Sequence, residues 1–515
     1  MVRPASNDGG ARGLLKSLLH RGPVSLLELL GLLAVAVAVV ASTVWVIRVG
    51  MVLGHDESVY AVMARHWLGD GPATGVSDHR APLLPVLGLP ILAAGGGDLA
   101  LRGIGTLSAV GMVVAVWWVG RTLHGPAAGL IAAAVVGFAP SMFTAGTLFL
   151  TDLPAAALLV TLAGLLWSQF ALRERTSRML LLAAPLAWAA YHLRYGSALV
   201  VLLLAVTTVL LFWPELRHAY RHVAETAALL VLLLLPHLVN ATIQLGAPWA
   251  RLFYTSSVAG RDYLGQGLRE YLQWFPQELA GPRAAVLMTI GLIGCVVLVA
   301  QRGVRAEHRS DRAGLPRALA FLAVPAAGHL VAIGIASHGE PRFVFFSIAM
   351  LVIAGSVVVT AALQHLTDWT PGVTWAVLVL FVAATLVHVA QLTQAQARDR
   401  ETTAERHAVI RDVGHTLRRS AGDDCSVLTS YSPQITWYSG CATHLFGTDA
   451  QTARTNLTDD AWLVLFQGGK RQPEGTELDL YLLGTELSER WEKPHDGLLD
   501  WAELYRFTAS PHESP

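Results

Sequence analysis

The chain has 515 residues, of which 53% are hydrophobic and 14% charged, against roughly a quarter charged in ordinary soluble domains. Lys plus Arg and Asp plus Glu each total 37, and the mean hydropathy is +0.49. A water-exposed globule is excluded, and no global basic charge exists to attract nucleic acid.

A bilayer core of roughly 30 Å needs about 20 apolar residues per helix. Runs of that kind lie near 24–49, 98–121, 126–145, 152–171, 179–194, 196–213, 223–244, 283–301, 317–336, 343–363 and 372–392. The expected fold is mainly α: a polytopic membrane helical bundle of about eleven transmembrane helices over 1–392, with loops at about 50–97 and 245–282, and a small C-terminal α/β domain over 393–515. The first run exceeds the apolar core of a signal peptide, roughly 7 to 15 residues, and reads as a retained helix.

Lys and Arg accumulate in cytoplasmic loops. Arg3, Arg12, Lys16 and Arg21, then Arg173, Arg175 and Arg178, Arg217 and Arg221, and Arg302, Arg305, Arg309 and Arg312 occupy alternate loops. These belong inside, which puts the N-terminus in the cytoplasm and both loops and the tail on the outer face of the plasma (inner) membrane.

The first outer loop opens Gly54-His55-Asp56-Glu57-Ser58-Val59-Tyr60. Adjacent carboxylates at a helix end either cap the helix and meet solvent or carry chemistry, because ionisable groups at a membrane are costly. Asp56 suits a general base that removes a hydroxyl proton. SVYAVMARHWLGDG then fits an interfacial helix, and DHRAPLLPVLGLPIL supplies Arg80 and three prolines. Asp152, beside Thr151 and Pro154, either caps its helix or holds an acceptor or an ion.

Further along, Arg194 stands in Tyr191-His192-Leu193-Arg194-Tyr195-Gly196, where an arginine either snorkels to headgroups or clamps a phosphate. The loop at 247–282 combines Trp249, Tyr254, Tyr263, Tyr271 and Trp274 with Arg251, Arg261 and Arg269; such rings stack on sugars or form an interfacial belt. His338-Gly339-Glu340-Pro341-Arg342-Phe343 joins two apolar runs. Guanidinium binds phosphate oxygens in a fork, which makes Arg342 the first candidate clamp. His237 and His329 read as packed core residues.

In the tail, CSVLTS, AWLVLFQG and LDLYLLG read as strands, and ARDRETTAERHAVIRDVGHTLRRS as a connecting helix. An outer tail permits a Cys425–Cys441 disulfide; the alternative is two free buried thiols. The Asn456-Leu457-Thr458 sequon carries no weight by itself. Walker A loops, dinucleotide fingerprints, H-E-x-x-H and basic recognition helices are absent from the sequence.

The Asp56-Glu57-x-x-Tyr60 pattern followed by Arg80 and prolines, the stretch 100–159 with Asp152 before Pro154, and His338-x-Glu340-x-Arg342-Phe343 together resemble the GT-C superfamily, in its branch of protein O-mannosyltransferases and bacterial aminoarabinose transferases. Where lipid-linked mannosyltransferases carry Lys in the last motif, this chain has Gly339. The resemblance covers roughly the first 360 residues and leaves the tail uncovered.

It implies a glycosyltransferase that draws a sugar, mannose in the favoured case, from a polyprenyl-phosphate donor and passes it with inversion to a glycolipid, cell-wall glycan or protein acceptor. Asp56, Glu57 and Asp152 are then the catalytic candidates, Arg342, Arg80 and Arg194 the donor-phosphate contacts, and Tyr60, His338 and Glu340 the substrate-loop residues. Membrane lipids are expected partners and nucleic acid is not. A divalent cation on the carboxylate pair is compatible with the sequence, which defines no metal site. The rival readings are a polytopic transporter or lipid flippase, and a catalytically dead scaffold.

Overall fold

The computed structural model describes residues 24–50, 52–74, 76, 79–172, 177–252, 254, 264–304, 314–367, 371–422, 424–447, 457, 460–469, 472–492 and 501–508. The basic segments 3–21, 173–175 and 305–312, with Arg261, Tyr263, Asn456 and Thr458, lie outside them. The chain divides into two compact units, one of Met1–Thr43, Gly105–Thr147 and Thr151–Leu392, the other of Val44–Ile104, Leu148–Leu150 and Thr393–Pro515.

Among the described residues, seven helices are long and apolar enough to cross a membrane: Leu26–Val49, Asp98–His124, Asp152–Phe170, Ser197–His218, Tyr220–Leu245, Leu315–Ala336 and Pro341–Gln364. An eighth span results if Pro126–Gly137 and Pro140–Gly146, bent by 70°, are taken together. The chain is a multi-pass membrane protein; among its described residues seven or eight helices meet this length and composition, which does not confirm the expected count of eleven. The run at 179–194 is a 3-10 turn, Arg178–Leu182, followed by Ala183–Leu193, a helix of only about 16 Å at 1.5 Å per residue. Pro282–Val297 is a shorter apolar helix, and 372–392 forms the start of the 50-residue helix Pro371–Ser420.

In the first unit the span Pro341–Gln364 is 83% buried inside the protein and Tyr220–Leu245 only 6%. The former is therefore central and the latter faces lipid, where its apolar side chains incur no hydration cost. Trp167 packs against Phe212 at 5.7 Å and Phe321 at 5.5 Å between ring centres, which locks three spans together. Near one end Glu28 is neutralised by Arg121 at 2.7 Å and receives the Trp117 indole N–H at 3.1 Å. Both charged side chains are buried, and such a pair is tolerated in apolar surroundings only when each charge meets the other.

The second unit contains the helices His55–Trp67 and Leu83–Ala93 and the C-terminal sheet. That sheet has the order β2-β1-β3-β5-β4, with β1 Cys425–Thr429, β2 Ala442–His444, β3 Asp460–Phe466, β4 Thr485–Glu492 and β5 Trp501–Phe507. β2, β1 and β3 are parallel, while β5 runs antiparallel to β3 and β4 to β5. Alternate residues of β3 face opposite ways: Trp462, Val464 and Phe466 meet Val409, Ile410, Val413 and Leu417 of the long helix, and Ala461, Leu463 and Leu465 meet Phe446 and Tyr481. Burial on both faces explains the continuous apolar run of the strand.

LDLYLLG is not a strand. It lies in the helix Thr476–Leu482, because Leu478, Tyr481 and Leu482 recur at helical spacing against the core and Glu477 and Asp479 favour a helix N-terminus. Cys425 and Cys441 form a disulfide, with Cα atoms 5.0 Å apart.

Candidate active site

The candidate residues fall into two constellations, one in each unit. In the second unit, the helix His55–Trp67 begins at Gly54, and the Gly54 N–H donates to Glu57 Oε2 at 2.9 Å. Arg102 donates to both Glu57 oxygens at 2.9 Å, and the Phe149 N–H donates to Oε1 at 2.9 Å. Arg102 also donates to the carbonyls of Gly50 and Val52. Burial alone would push the Glu57 carboxyl up; the Arg102 charge and the hydrogen bonds outweigh it and hold the group below the usual carboxylate range. Glu57, 2% exposed, thus anchors the loop, while its neighbour Asp56 turns outward.

Asp56 pairs with Arg80 at 2.8 Å, with each side chain about a quarter exposed. The Arg80 guanidinium lies 5.7 Å over the ring of Tyr60, which is buried edge-on to Phe149. The acidic pair therefore splits into one sealed carboxylate and one accessible one.

In the first unit, Asp152 is the first residue of Asp152–Phe170, where Thr151 makes no side-chain cap. Asp152 is buried and ion-paired with Arg194. The Arg194 guanidinium stacks over Phe343 at 4.2 Å and that of Arg342 at 5.5 Å. Arg342 pairs with Glu340, whose other oxygen meets His338 Nε2 at 2.8 Å. Burial would raise the Glu340 pKa, but Arg342 and then His338 outweigh it and hold the carboxyl low.

Asp152, Arg194, Ser197, His329, Arg342 and Phe343, with Phe345 and Phe346, line a small, half-open cleft. His329 bonds Ser347 at 2.9 Å; it is a packed residue, as its sequence suggests, and it also forms part of this wall. His237 is half-buried beside Tyr191, 2.9 Å from the phenol oxygen.

The loop before residue 282 reaches the same motif. Gly265 and Gly267 donate to the carbonyls of Ile335 and Ser337 at 2.9 and 3.0 Å. Tyr271 bonds the Glu340 backbone, and Glu270 accepts from the Gly339 N–H. A Cβ on Gly339 would lie 2.7 Å from Glu270 Cβ and 3.2 Å from Trp274. A side chain at position 339 would have to displace Glu270 or Trp274.

No group of three or more His, Cys, Asp or Glu side chains among the described residues could hold a cation, and the Asp56 and Glu57 carboxylates each face an arginine.

No protein-family model matches the chain, and no curated protein sequence matches it. Solved structures do. ArnT from Cupriavidus metallidurans bound to undecaprenyl phosphate superposes with a TM-score of 0.61 at 14% identity, covering 98% of this chain and 100% of that one. The Archaeoglobus fulgidus oligosaccharyltransferase in complex with Zn and sulfate gives 0.57 at 14% identity, covering 90% and 72%. AglB from Archaeoglobus fulgidus, with an inhibitory peptide and a dolichol-phosphate, gives 0.55 at 12% identity, covering 81% and 65%.

The chain has the GT-C fold. Within this GT-C fold Arg102, Asp98 and Glu270 were not singled out by sequence reasoning, whereas Tyr271 was named among the rings of its loop. Only Arg102 carried a usable signal, an ionisable residue inside an apolar run.

Proposed function

We propose that the protein is a membrane glycosyltransferase that takes a sugar from a polyprenyl-phosphate donor and passes it, with inversion, to a glycolipid, glycan or protein hydroxyl. The observation that carries this reading is the cleft in which Arg194 and Arg342 flank Phe343. Two guanidiniums beside apolar walls match a lipid phosphate, and ArnT, which shares the fold, has been captured with undecaprenyl phosphate.

Asp56 is the general base. Its carboxylate takes the acceptor hydroxyl proton as that oxygen bonds the anomeric carbon, and the bond from that carbon to the phosphate oxygen breaks with its electron pair on the phosphate. Arg194 and Arg342 stabilise the departing charge; each has five N–H donors, enough to keep a carboxylate partner while binding phosphate. Arg80 orients Asp56 and adds a phosphate contact, while Tyr60 supports it. Asp152 and Glu340 position the clamps, and His338 and Tyr271 steady Glu340. Glu57 positions the loop. Among the described residues no group of three or more His, Cys, Asp or Glu side chains could hold a divalent cation, and no step is routed through one.

Mannose is the favoured sugar because Glu340-x-Arg342-Phe343 resembles mannosyltransferases. With the N-terminus in the cytoplasm and the tail outside the plasma membrane, as the distribution of Lys and Arg among the loops suggests, the acidic loop would lie on the outer face together with the lipid-linked donor.

The test is transfer from radiolabelled polyprenyl-phosphate mannose to membrane glycolipid and protein acceptors by protein in liposomes, wild type against Asp56→Asn. Transfer lost in a folded variant supports the base, and equal transfer removes Asp56 from that role. No transfer by either directs the search to other lipid-linked sugars.

A further inference from the structure

The C-terminal sheet domain lies outside the resemblance, yet one of its helices is hydrogen-bonded to the acidic loop. Ser432–Ser439 is buried along its whole length. Within the second unit, Trp437 Nε1 donates to Asp98 Oδ1 at 2.8 Å and the Tyr438 hydroxyl to Oδ2 at 2.7 Å. The same hydroxyl accepts from the Leu53 N–H at 2.8 Å. Arg65, on the helix that carries Asp56, stacks 3.9 Å over Trp437 and donates to its carbonyl at 2.6 Å.

We propose that Tyr438 is a positioning residue for Asp56: with Trp437 and Asp98 it fixes the Leu53 end of the acidic loop, making the C-terminal domain a working part of the transfer site. The inference rests on the glycosyl-transfer reading of that loop.

Three features support it independently. Arg102 fixes the carbonyls of Gly50 and Val52 and the carboxylate of Glu57, so the Leu53 N–H is held from the other side of the loop by Tyr438. A Cβ on Gly414 would lie 2.5 Å from Tyr438 Cβ, so the long helix comes close enough to fix the tyrosine backbone. Burial and then Asp98 push the Tyr438 phenol up, which keeps its proton in place for Asp98. A general base misplaced by about 1 Å can lose roughly a hundredfold in rate, and Leu53 is three residues from Asp56.

The experiment uses the full chain in liposomes. Tyr438→Phe keeps the ring and removes both hydroxyl bonds. Tyr505→Phe is the control, a tail tyrosine whose hydroxyl donates to Glu503 of its own strand at 2.8 Å. Three quantities are read: deuterium exchange at residues 52–60, kcat against donor KM, and the unfolding midpoint.

Expected for Tyr438→Phe are faster exchange at Leu53 and a kcat lower by about tenfold or more, with donor KM unchanged. Tyr505→Phe should match wild type. Unchanged exchange overturns the proposal, as does faster exchange with unchanged kcat, which would mean a purely structural contact. Should Tyr438→Phe fail to fold, Asp98→Asn, which disrupts the same link, is judged by the same criteria. If wild type transfers no sugar, the glycosyl-transfer reading fails separately, and an unchanged Leu53 amide still overturns the link.

Discussion

Glu270 and Trp274 fill the space beside Gly339, where any added side chain would meet them. Gly339→Lys is therefore expected to lower stability by about 1–3 kcal/mol through overpacking without raising transfer, as read by thermal unfolding and the liposome assay. Glu57→Gln should cost more, about 3–5 kcal/mol, because Arg102 would be left as a buried charge without its partner. The pH dependence follows from the depressed Glu57 pKa. Its contribution is complete above the unfolded carboxylate value of about 4.3 and is lost as pH falls through the folded value, so wild type should lose stability in acid. Glu57→Gln should lack that component, and denaturation across the acid range measures the difference. Asp56, Asp152 and Arg342 were visible in the sequence because motifs carry them. That Glu57 is sealed and Asp56 open was not, since adjacent residues share a motif while pointing to different surroundings.

At the scale of elements, hydropathy located the seven or eight long apolar helices of the described residues, but it could not report the 70° bend after Gly137. Three strands, β2, β4 and β5, were also missed. β4, TELSERWE, is an exposed edge strand with no apolar alternation, so the pattern that marks a half-buried strand is absent. LDLYLLG misled in the opposite direction, because a short apolar run fits either period. The disulfide brackets β1 and the helix Ser432–Ser439. Closing a loop of 16 residues is worth about 3 kcal/mol by chain entropy, so Cys425→Ser with Cys441→Ser should shift denaturant unfolding of the tail by about that amount. Reductant should reproduce the shift in wild type and leave the double variant unchanged.

For the whole molecule, composition alone established a multi-pass membrane protein, and three short motifs pointed to a fold that structural superposition supports at 14% identity. The expected topology predicts that a protease added to sealed right-side-out vesicles removes the C-terminal domain and spares an N-terminal tag; the reverse pattern would invert the assignment. What sequence could not reveal is the membership of the second unit, which joins residues 44–104 to residues 393–515, because hydropathy is read locally and says nothing about which distant segments pair.

That membership also fixes an order of events during synthesis. The Leu53 N–H and the Tyr438 hydroxyl that receives it are 385 positions apart. At about 5–20 residues per second, the ribosome completes the acidic loop tens of seconds before its partner exists. Through that interval the Tyr438 hydroxyl bonds to Asp98 and to the Leu53 N–H cannot form. If Tyr438 positions Asp56 as proposed, the acidic loop takes its final geometry only after the C-terminal domain has folded.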